Sequence, residues 1–265
     1  MWYANEEEFR TASGYEINGA WYPRVTKILE IKSKPGLETF WKEVGHYASA
    51  EDIKNKSALH GSLVHETVQR LVVGEKVDIP EAIRPAVEKF QNFNEEKKIF
   101  FYPEHIERRV WSSRYRYAGT VDALAEIDGK FGVLDIKTST GFFPEYNLQT
   151  AAYVSALQEF EIKRLCALPK DIQTRWILRI DQRKVCKLCK ATFRNKGGHE
   201  KIRPANSKKR DALCADGNHE WGEMEGDVAI REFPYIYKDV KAFMAAKILW
   251  EWENDYWLKK IGYLV

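Results

Sequence analysis

Two alternating runs joined by a tight-turn dipeptide constrain the fold of this chain more than any other feature. Tyr117–Ile127 has the side-chain alternation of a strand, and Phe131–Lys137 is typical of a returning strand. The dipeptide between them, Asp128-Gly129, favours a type I′ turn, in which both central residues have a positive φ. The sequence therefore predicts an antiparallel β-hairpin in the middle of the chain.

The hairpin brings three charged side chains together. In its simplest register Asp122 lies near Asp135, and Lys137 shares a face with Asp135 because strand side chains repeat every two residues. Two carboxylates and an ammonium are costly to desolvate unless a cation lies between them. Mg²⁺ or Mn²⁺ suits carboxylate oxygens, and Lys137 would then lie where an activated water attacks a phosphodiester. The alternative is a solvated face or a surface ion pair, the commoner setting of an isolated Asp-x-Lys.

Composition bounds the class of protein. At 265 residues with 44% hydrophobic content, the chain can bury one sizeable core, or one core with a small satellite. Its 42 basic and 39 acidic residues give a net charge of +3, so affinity for a polyanion must come from local clusters. Apolar runs are too short for a membrane span, and Met1–Arg10 is too acidic for a signal peptide. We expect a cytoplasmic protein with no membrane partner, which includes a phage-encoded protein in its host.

Two predicted helices carry further polar residues. His65 lies within a helix predicted over Ala58–Val73, where a lone histidine is more often a surface or core residue than a ligand. Pro144–Glu161 is predicted to be a second helix. Its Gln149 and Tyr153 are four residues apart and share one face. A core role is the alternative for the tyrosine.

Taken in chain order, these residues resemble the motifs of a known family. The motifs are Gly61-Ser62-Leu63-Val64-His65, Gly119-Thr120-Val121-Asp122, Asp135-Ile136-Lys137 and Gln149-x-x-x-Tyr153. Together they resemble the PD-(D/E)XK nuclease superfamily in its RecB-like exonuclease branch. The resemblance runs from Tyr22 to the C-terminus. It implies an α/β restriction-endonuclease-like core with a small mixed central sheet flanked by helices.

The resemblance implies a role for each motif. The metal ligands that it implies are His65, Asp122, Asp135 and the carbonyl of Ile136. A histidine ligand would favour Mn²⁺ over Mg²⁺. Lys137 would orient the attacking water or stabilise charge on the phosphate, and Gln149 and Tyr153 would position the strand. Similarity to the mitochondrial genome-maintenance and phage recombination exonucleases of this branch implies single-stranded DNA with a free end as the substrate.

Two charged residues outside these motifs have less support. Glu107 precedes a Val-Trp-Ser string, where related sequences often carry a glutamate. A strand glutamate commonly faces solvent, however, so Glu107 is left out of the predicted site. Arg24 begins a segment that is similar to one preceding the nuclease core in this family. A phosphate contact is predicted for Arg24, with plain solvation as the alternative.

A cysteine cluster near the end of the chain predicts a structural metal. Cys186-x-x-Cys189 is followed by Cys214 and His219, and such paired ligands can close a tetrahedron around Zn²⁺. His199 is the alternative fourth ligand. A small, charged segment could not order itself by a hydrophobic core, so zinc would supply its folding free energy. Three cysteines and a histidine fit zinc better than the four-cysteine iron–sulfur cluster of some relatives.

The segment between the cysteine pairs concentrates positive charge. We predict phosphate contacts here because a basic, metal-pinned segment beside a nuclease face can clamp a nucleic acid. With Arg24, the predicted nucleic-acid-binding residues are Lys187, Lys190, Arg194, Lys196, Lys208, Lys209 and Arg210. The alternative is a solvated loop that zinc merely makes rigid.

These observations define a predicted organisation and function. Residues 1–57 form an N-terminal segment and helix, 58–181 a nuclease core, 182–222 a zinc-binding basic insertion, and 223–265 a final core strand and helix. The predicted activity is Mg²⁺- or Mn²⁺-dependent DNA exonuclease action in replication, recombination or repair. A structure-specific endonuclease would use the same residues. A non-catalytic nucleic-acid-binding protein would use the zinc segment alone.

Overall fold

The computed structural model describes residues 3–33, 35–205 and 208–264. Its strands are β1 (Gly14–Ile17), β2 (Ala20–Pro23), β3 (Phe100–Phe101), β4 (Arg108–Ser112), β5 (Tyr117–Val121), β6 (Ala123–Ile127), β7 (Lys130–Lys137), β8 (Thr174–Cys186), β9 (Thr192–Lys196), β10 (His199–Arg203) and β11 (Trp221–Glu232). Its helices are α1 (Glu6–Ser13), α2 (Val25–Ile28), α3 (Pro35–Val44), α4 (Tyr47–Val72), α5 (Arg84–Lys97), α6 (Pro144–Leu157), α7 (Phe160–Leu165), α8 (Lys208–Asp211), α9 (Tyr237–Glu253) and α10 (Asp255–Lys260).

A mixed sheet forms the centre of the molecule. Strands β10, β9, β8, β7, β6 and β3 are neighbours in that order, and β11 also pairs with β8. β7 and β8 are parallel, whereas the other neighbours are antiparallel. Parallel neighbours need a long crossover, which α6 and α7 provide here. The predicted mixed α/β architecture, a central sheet flanked by helices, is confirmed.

The central hairpin forms as predicted, with one break. Asp128 and Gly129 have φ values of 51° and 76°, as a type I′ turn requires. The strand predicted over Tyr117–Ile127 is divided at Asp122, because β5 pairs with β4 whereas β6 pairs with β7. Asp122 therefore lies at the junction between a separate two-stranded sheet and the central sheet.

Apolar side chains cover both faces of the central sheet. On one face, Leu134 of β7 packs in a cluster with Val68 of α4 and with residues of α5. On the other, Val133 belongs to a cluster that includes Phe243 of α9 and residues of α6. Since strand neighbours alternate, Asp135 projects from the same face as Val133. The charged pair of the hairpin thus lies on the α6 side of β7, a strand that is buried from Phe131 to Ile136.

Two helices differ from their predicted bounds. α4 begins at Tyr47 rather than at Ala58, and its first half is too polar to show a helical stripe. Contacts with β9 support that half, so tertiary packing decides its structure. The helix predicted to reach Glu161 ends at Leu157, and α7 follows after a short break.

The segment between β8 and β11 extends the central sheet. β9 pairs with β8 from Lys184 onward, along the edge of β8 that β7 occupies up to Lys137. β11 occupies the other edge. The β9–β10 turn packs on α4, where a Cβ atom added at Gly197 would lie 2.3 Å from the carbonyl oxygen of Ile53. The insertion is thereby fixed beside the end of β7.

Candidate functional site

The break between β5 and β6 directs the Asp122 side chain to two partners. The Ile136 N–H donates a hydrogen bond of 2.7 Å to Asp122 Oδ2. His65 Nε2 of α4 lies 3.0 Å from the same oxygen. The predicted proximity of helix α4 and the hairpin is confirmed. Ile136 meets the site through its N–H, while ligation by its carbonyl remains a prediction.

Glu107 joins this group, although sequence reasoning left it out. The chain between β3 and β4 is irregular, and Glu107 has a left-handed φ of 50°. Its N–H donates to the Asp122 carbonyl at 3.1 Å. Its carboxylate lies 3.7 Å from His65 Nδ1 and accepts a hydrogen bond from Gln69. The side chain is exposed, as expected, and the left-handed backbone turns the Glu107 N–H toward the Asp122 carbonyl.

Three residues from separate elements could hold a metal ion. His65, Glu107 and Asp122 each offer a ligand atom, and these atoms lie within 4.8 Å of one another. Imidazole and carboxylate donors suit Mn²⁺ or Mg²⁺. Asp135 lies outside this set and contacts Lys137 instead.

Asp135 and Lys137 form a buried ion pair on β7. Lys137 Nζ lies 2.6 Å from Asp135 Oδ2, which confirms that the two side chains share a face. Asp135 is completely buried. Among the described residues, neither of its carboxylate oxygens accepts a hydrogen bond of normal geometry. Lys137 also lies 5.1 Å from the centre of the Tyr146 ring. A buried carboxylate with so little hydrogen bonding is costly unless a cation approaches it.

Opposing effects set the pKa values in this group. Burial alone would lower the pKa of His65, but the hydrogen bond and charge of Asp122 outweigh it and raise that pKa. Burial would raise the pKa of Asp122, but His65 and Lys137 lower it. Burial outweighs the attraction of Lys137 at Asp135 and raises its pKa to about 7. Asp135 is therefore the carboxylate whose ionised form is least stabilised.

Gln149 and Tyr153 support the hairpin from α6. Gln149 Nε2 donates to the Tyr153 hydroxyl at 3.1 Å. The Tyr153 ring is buried against the backbone of β5, where a Cβ added at Gly119 would lie 2.3 Å from it. A buried ring cannot stack on a base, one of the functions open to this tyrosine. The glycine of the Gly-Thr-Val-Asp string permits this close packing.

A cavity of about 420 Å³ runs along α4 beside these residues. Its walls include Gly61, His65 and Gln69 of α4, together with Lys137 and Thr138 at the end of β7. Residues four apart on a helix lie on the same face. The Gly61-x-x-x-His65 spacing therefore places both residues beside this cavity. A substrate that enters the cavity meets both His65 and Lys137.

The second candidate metal site is the cysteine cluster. Cys186, Cys189, Cys214 and His219 each offer a ligand atom within 4.8 Å of the others. The Ala191 N–H approaches Cys189 Sγ at 3.4 Å, as in a tight knuckle. His219 Nδ1 lies 3.3 Å from Cys189 Sγ. A buried Cys₃His cluster of this form could bind a metal ion.

The choice of His219 over His199 is confirmed by position. His199 lies on β10, where its ring packs edge-on against Phe40 at 5.2 Å. Its Nε2 is 3.8 Å from Glu43, and it lies outside the cysteine cluster. Cys166 is buried in the main core and takes no part in the cluster.

The pKa values of two thiols in the cysteine cluster are shifted in opposite directions. Backbone N–H groups and His219 lower the pKa of Cys186 to about 6, although burial opposes them. Burial and the neighbouring thiols raise the pKa of Cys214 to about 12. Bringing three thiolates together is unfavourable, and a divalent cation would remove that repulsion.

The predicted phosphate-binding residues differ in their surroundings. Arg194 pairs with Asp181, and Lys187 Nζ lies 2.9 Å from Glu220. Lys190 Nζ donates to a backbone carbonyl. The remaining insertion residues of this set are Lys196, beside Thr138, and the exposed Lys208, Lys209 and Arg210 of α8. The cationic surface beside the hairpin is therefore smaller than the sequence suggests.

Arg24 lies in a different environment. Its guanidinium donates to the carbonyls of Gly14 and Thr11, at 3.2 and 2.9 Å. It also stacks on the Tyr15 ring at 4.4 Å. These contacts hold the N-terminal β1–β2 hairpin, and a phosphate contact by Arg24 remains a prediction.

Glu107, Gln69 and Tyr146 are the site residues that sequence reasoning did not assign. Gln69 follows His65 by one helical turn, a spacing that can be read from the sequence. Its partner Glu107 depends on a backbone reversal that no local pattern marks. Tyr146 is near Lys137 because α6 begins directly after the hairpin.

Comparison with protein-family models finds no match for this chain, and none of the curated proteins matches it. Among the described residues, no helix has the length and apolar character needed to cross a membrane. Functional conclusions therefore depend on the geometry and chemistry of the two clusters.

Proposed function

We propose that the chain is a PD-(D/E)XK deoxyribonuclease of the RecB-like branch, with a restriction-endonuclease-like core. It would hydrolyse phosphodiester bonds in DNA, at single-stranded ends, with Mg²⁺ or Mn²⁺ as the catalytic ion. Replication, recombination or repair in the cytoplasm would supply such ends. The Cys₃His cluster would hold a structural Zn²⁺.

The buried Asp135–Lys137 pair is the observation that carries this proposal. A buried carboxylate without a well-formed hydrogen bond lies on the same strand face as the partly buried ammonium of Lys137, and Asp122 lies on the adjoining turn. Hydrophobic residues of similar size would stabilise the fold as well or better. Charged groups kept in such a position are typical of an active site.

The side chains of this chain would divide the chemistry between them. When bound by His65, Glu107, Asp122 and Asp135, a divalent ion supplies a water of lowered pKa and polarises the scissile phosphate. Lys137 would orient the attacking water and stabilise negative charge on the phosphate. Gln149 and Tyr153 would hold the hairpin in place beneath the substrate.

The test is a time course on end-labelled single- and double-stranded DNA with Mg²⁺ or Mn²⁺. We expect progressive shortening by the wild type and a loss on the order of 10²- to 10³-fold in Lys137→Ala, because a preorganised charge is removed. The labelled end gives the polarity of digestion. Discrete internal fragments would instead identify an endonuclease. DNA binding without metal-dependent cleavage by the wild type would contradict the catalytic proposal.

Metal affinity is expected to rise with pH through neutrality. The folded pKa of Asp135, about 7, lies above its unfolded value, so the protonated form is favoured below pH 7 and must lose its proton to bind a cation. Calorimetric titration with Mn²⁺ in buffers of different ionisation enthalpy would measure the protons released. We expect proton release at pH 6 from both Asp135 and His65, whose pKa is also raised above its ordinary value, and much less release at pH 8.5. Proton release that is the same at both pH values would contradict this assignment.

A further inference from the structure

A second cavity lies between α3, α4 and the β9–β10 hairpin. Its volume is about 270 Å³. Its basic lining residues are Lys54, Arg194, Lys196, His199, Lys201 and Arg203. The Phe40 ring and Ile53 add apolar surface. Cations from a helix and from a separate hairpin therefore converge on one concave surface.

The protein itself balances only part of this charge. Within the described residues, the carboxylates paired with the lining are Asp181, which contacts Arg194, and Glu43, which contacts Lys201 and His199. Five ammonium or guanidinium groups thus face two carboxylates. Arg194 Nε is buried and, among the described residues, donates no hydrogen bond. Like charges held this closely repel one another, which an anionic ligand would relieve.

Lys196 connects this cavity to the metal site. Its ammonium donates to the carbonyl and hydroxyl of Thr138, which follows Lys137 at the end of β7. A Cβ added at Gly61 would lie 3.9 Å from Lys196 Nζ. Gly61 precedes His65 by one turn of α4, a rise of about 6 Å. Ser57 lines both cavities, so they open onto the same stretch of α4.

Contacts with the loop after β7 fix the hairpin wall. Arg203 Nη2 lies 3.1 Å from Thr140 Oγ1. Lys201 Nζ lies 3.3 Å from Glu43 of α3. The wall is thus attached to the strand that carries Lys137 and to the helix on the opposite side. A preorganised wall of this kind binds an anion at low entropic cost.

We propose that this cavity is a subsite for a phosphate group of the nucleic-acid strand whose neighbouring phosphate lies at the metal site. The inference rests on the proposed nuclease function and adds a defined contact to it. The guanidinium groups of Arg194 and Arg203 suit phosphate oxygens, and the Phe40 and Ile53 side chains suit a sugar or base. The phosphate can be internal to the strand or a terminal monoester, since both have the same chemistry.

Lysine acetylation, measured by mass spectrometry, tests the proposed phosphate subsite without requiring DNA cleavage. The wild-type protein is acetylated alone, with a single-stranded oligonucleotide, or with inorganic phosphate, in the absence of Mg²⁺ and Mn²⁺. We expect the oligonucleotide to slow acetylation of Lys54 and Lys201 several-fold. Lys238 and Lys241, which are exposed on α9 and lie outside the cavity, serve as controls. Equal protection of the controls, or no protection of Lys54 and Lys201, would overturn the inference.

Separate arms identify the source of the phosphate. Stronger protection by an oligonucleotide with a 5′- or 3′-phosphate than by its hydroxyl counterpart assigns the cavity to a strand end. Equal protection by the two assigns it to an internal phosphate. Protection by inorganic phosphate but not by the oligonucleotide would overturn the strand assignment. The readout needs no turnover, so it stands apart from failure of the cleavage assay.

A pair of charge-matched variants gives an independent measurement. Lys201→Gln with Arg203→Gln removes two charges from the cavity wall, and Lys238→Gln with Lys241→Gln removes two from the exposed surface of α9. We expect the first pair to weaken oligonucleotide binding about tenfold more than the second. Its salt dependence should also be shallower by about 0.7 for each phosphate that the protein no longer neutralises. Equal weakening by the two pairs would mean that the cavity has no special role.

Discussion

Asp135→Asn should abolish metal-dependent DNA cleavage while leaving the metal-free protein at least as stable as the wild type. The loss of rate is expected to be on the order of 10²- to 10³-fold, typical of removing one preorganised electrostatic group. Stability responds differently because the folded pKa of Asp135, about 7, lies above its unfolded value. The cost of ionising this carboxylate in the fold therefore accumulates as pH rises from the unfolded value of 3.8 to about 7, and asparagine removes that cost.

Thermal unfolding at two pH values measures this effect. At pH 8 without Mg²⁺ or Mn²⁺, the Tm of the variant should equal or exceed that of the wild type, and the difference should become smaller at pH 5. Added Mn²⁺ should raise the Tm of the wild type but not that of Asp135→Asn, because ligand binding to the folded state stabilises it. A variant that is much less stable at pH 8, or that cleaves DNA at the wild-type rate, would refute the role given to Asp135.

Cys214→Ser should remove one equivalent of zinc and unfold the insertion. Structural zinc contributes on the order of 10 kcal/mol to the folding of such segments, and a serine hydroxyl does not replace a thiolate ligand. The expected results are loss of bound zinc by elemental analysis and loss of the near-ultraviolet signal of Trp221, whose ring is 4.7 Å from that of His219. Limited proteolysis should then cleave within 187–220.

Cys166→Ser is the matched control for this change. Cys166 is equally buried, but it lies in the main core, outside the metal cluster. Its substitution leaves a buried hydroxyl and should lower stability by about 1–3 kcal/mol while zinc content is unchanged. If Cys214→Ser retained a full equivalent of zinc and resisted proteolysis, the cluster would not be the metal site that its geometry suggests.

The sequence predicts the features that depend on local periodicity. A two-residue repeat and a type I′ turn suffice to bring Asp122, Asp135 and Lys137 together. Ligand spacing suffices to select Cys186, Cys189, Cys214 and His219, because a metal accepts few arrangements. Both clusters are therefore visible without any knowledge of how distant elements pack.

The features that the sequence does not predict depend on contacts between distant segments. The strand break at Asp122 arises because β4 competes for β5, and the same contact draws Glu107 into the site. Arg194 is solvent-facing by its sequence context, yet Asp181 of β8 pairs with it. The Arg194 side chain is mostly buried because β9, which carries it, joins the edge of β8. Such pairings have no signature in a single local window.

The length of strand β8 determines what a deletion in this protein would disrupt. Its first half pairs with β7 beside Asp135, and its last residue is the metal-cluster ligand Cys186. β11 then returns along the same strand. Removal of residues 182–222 would therefore cut through two strands of the central sheet rather than excise an appendage. β8 therefore connects the two clusters, and deletion of the insertion is expected to disturb the hairpin beside Asp135 as well as the cysteine cluster.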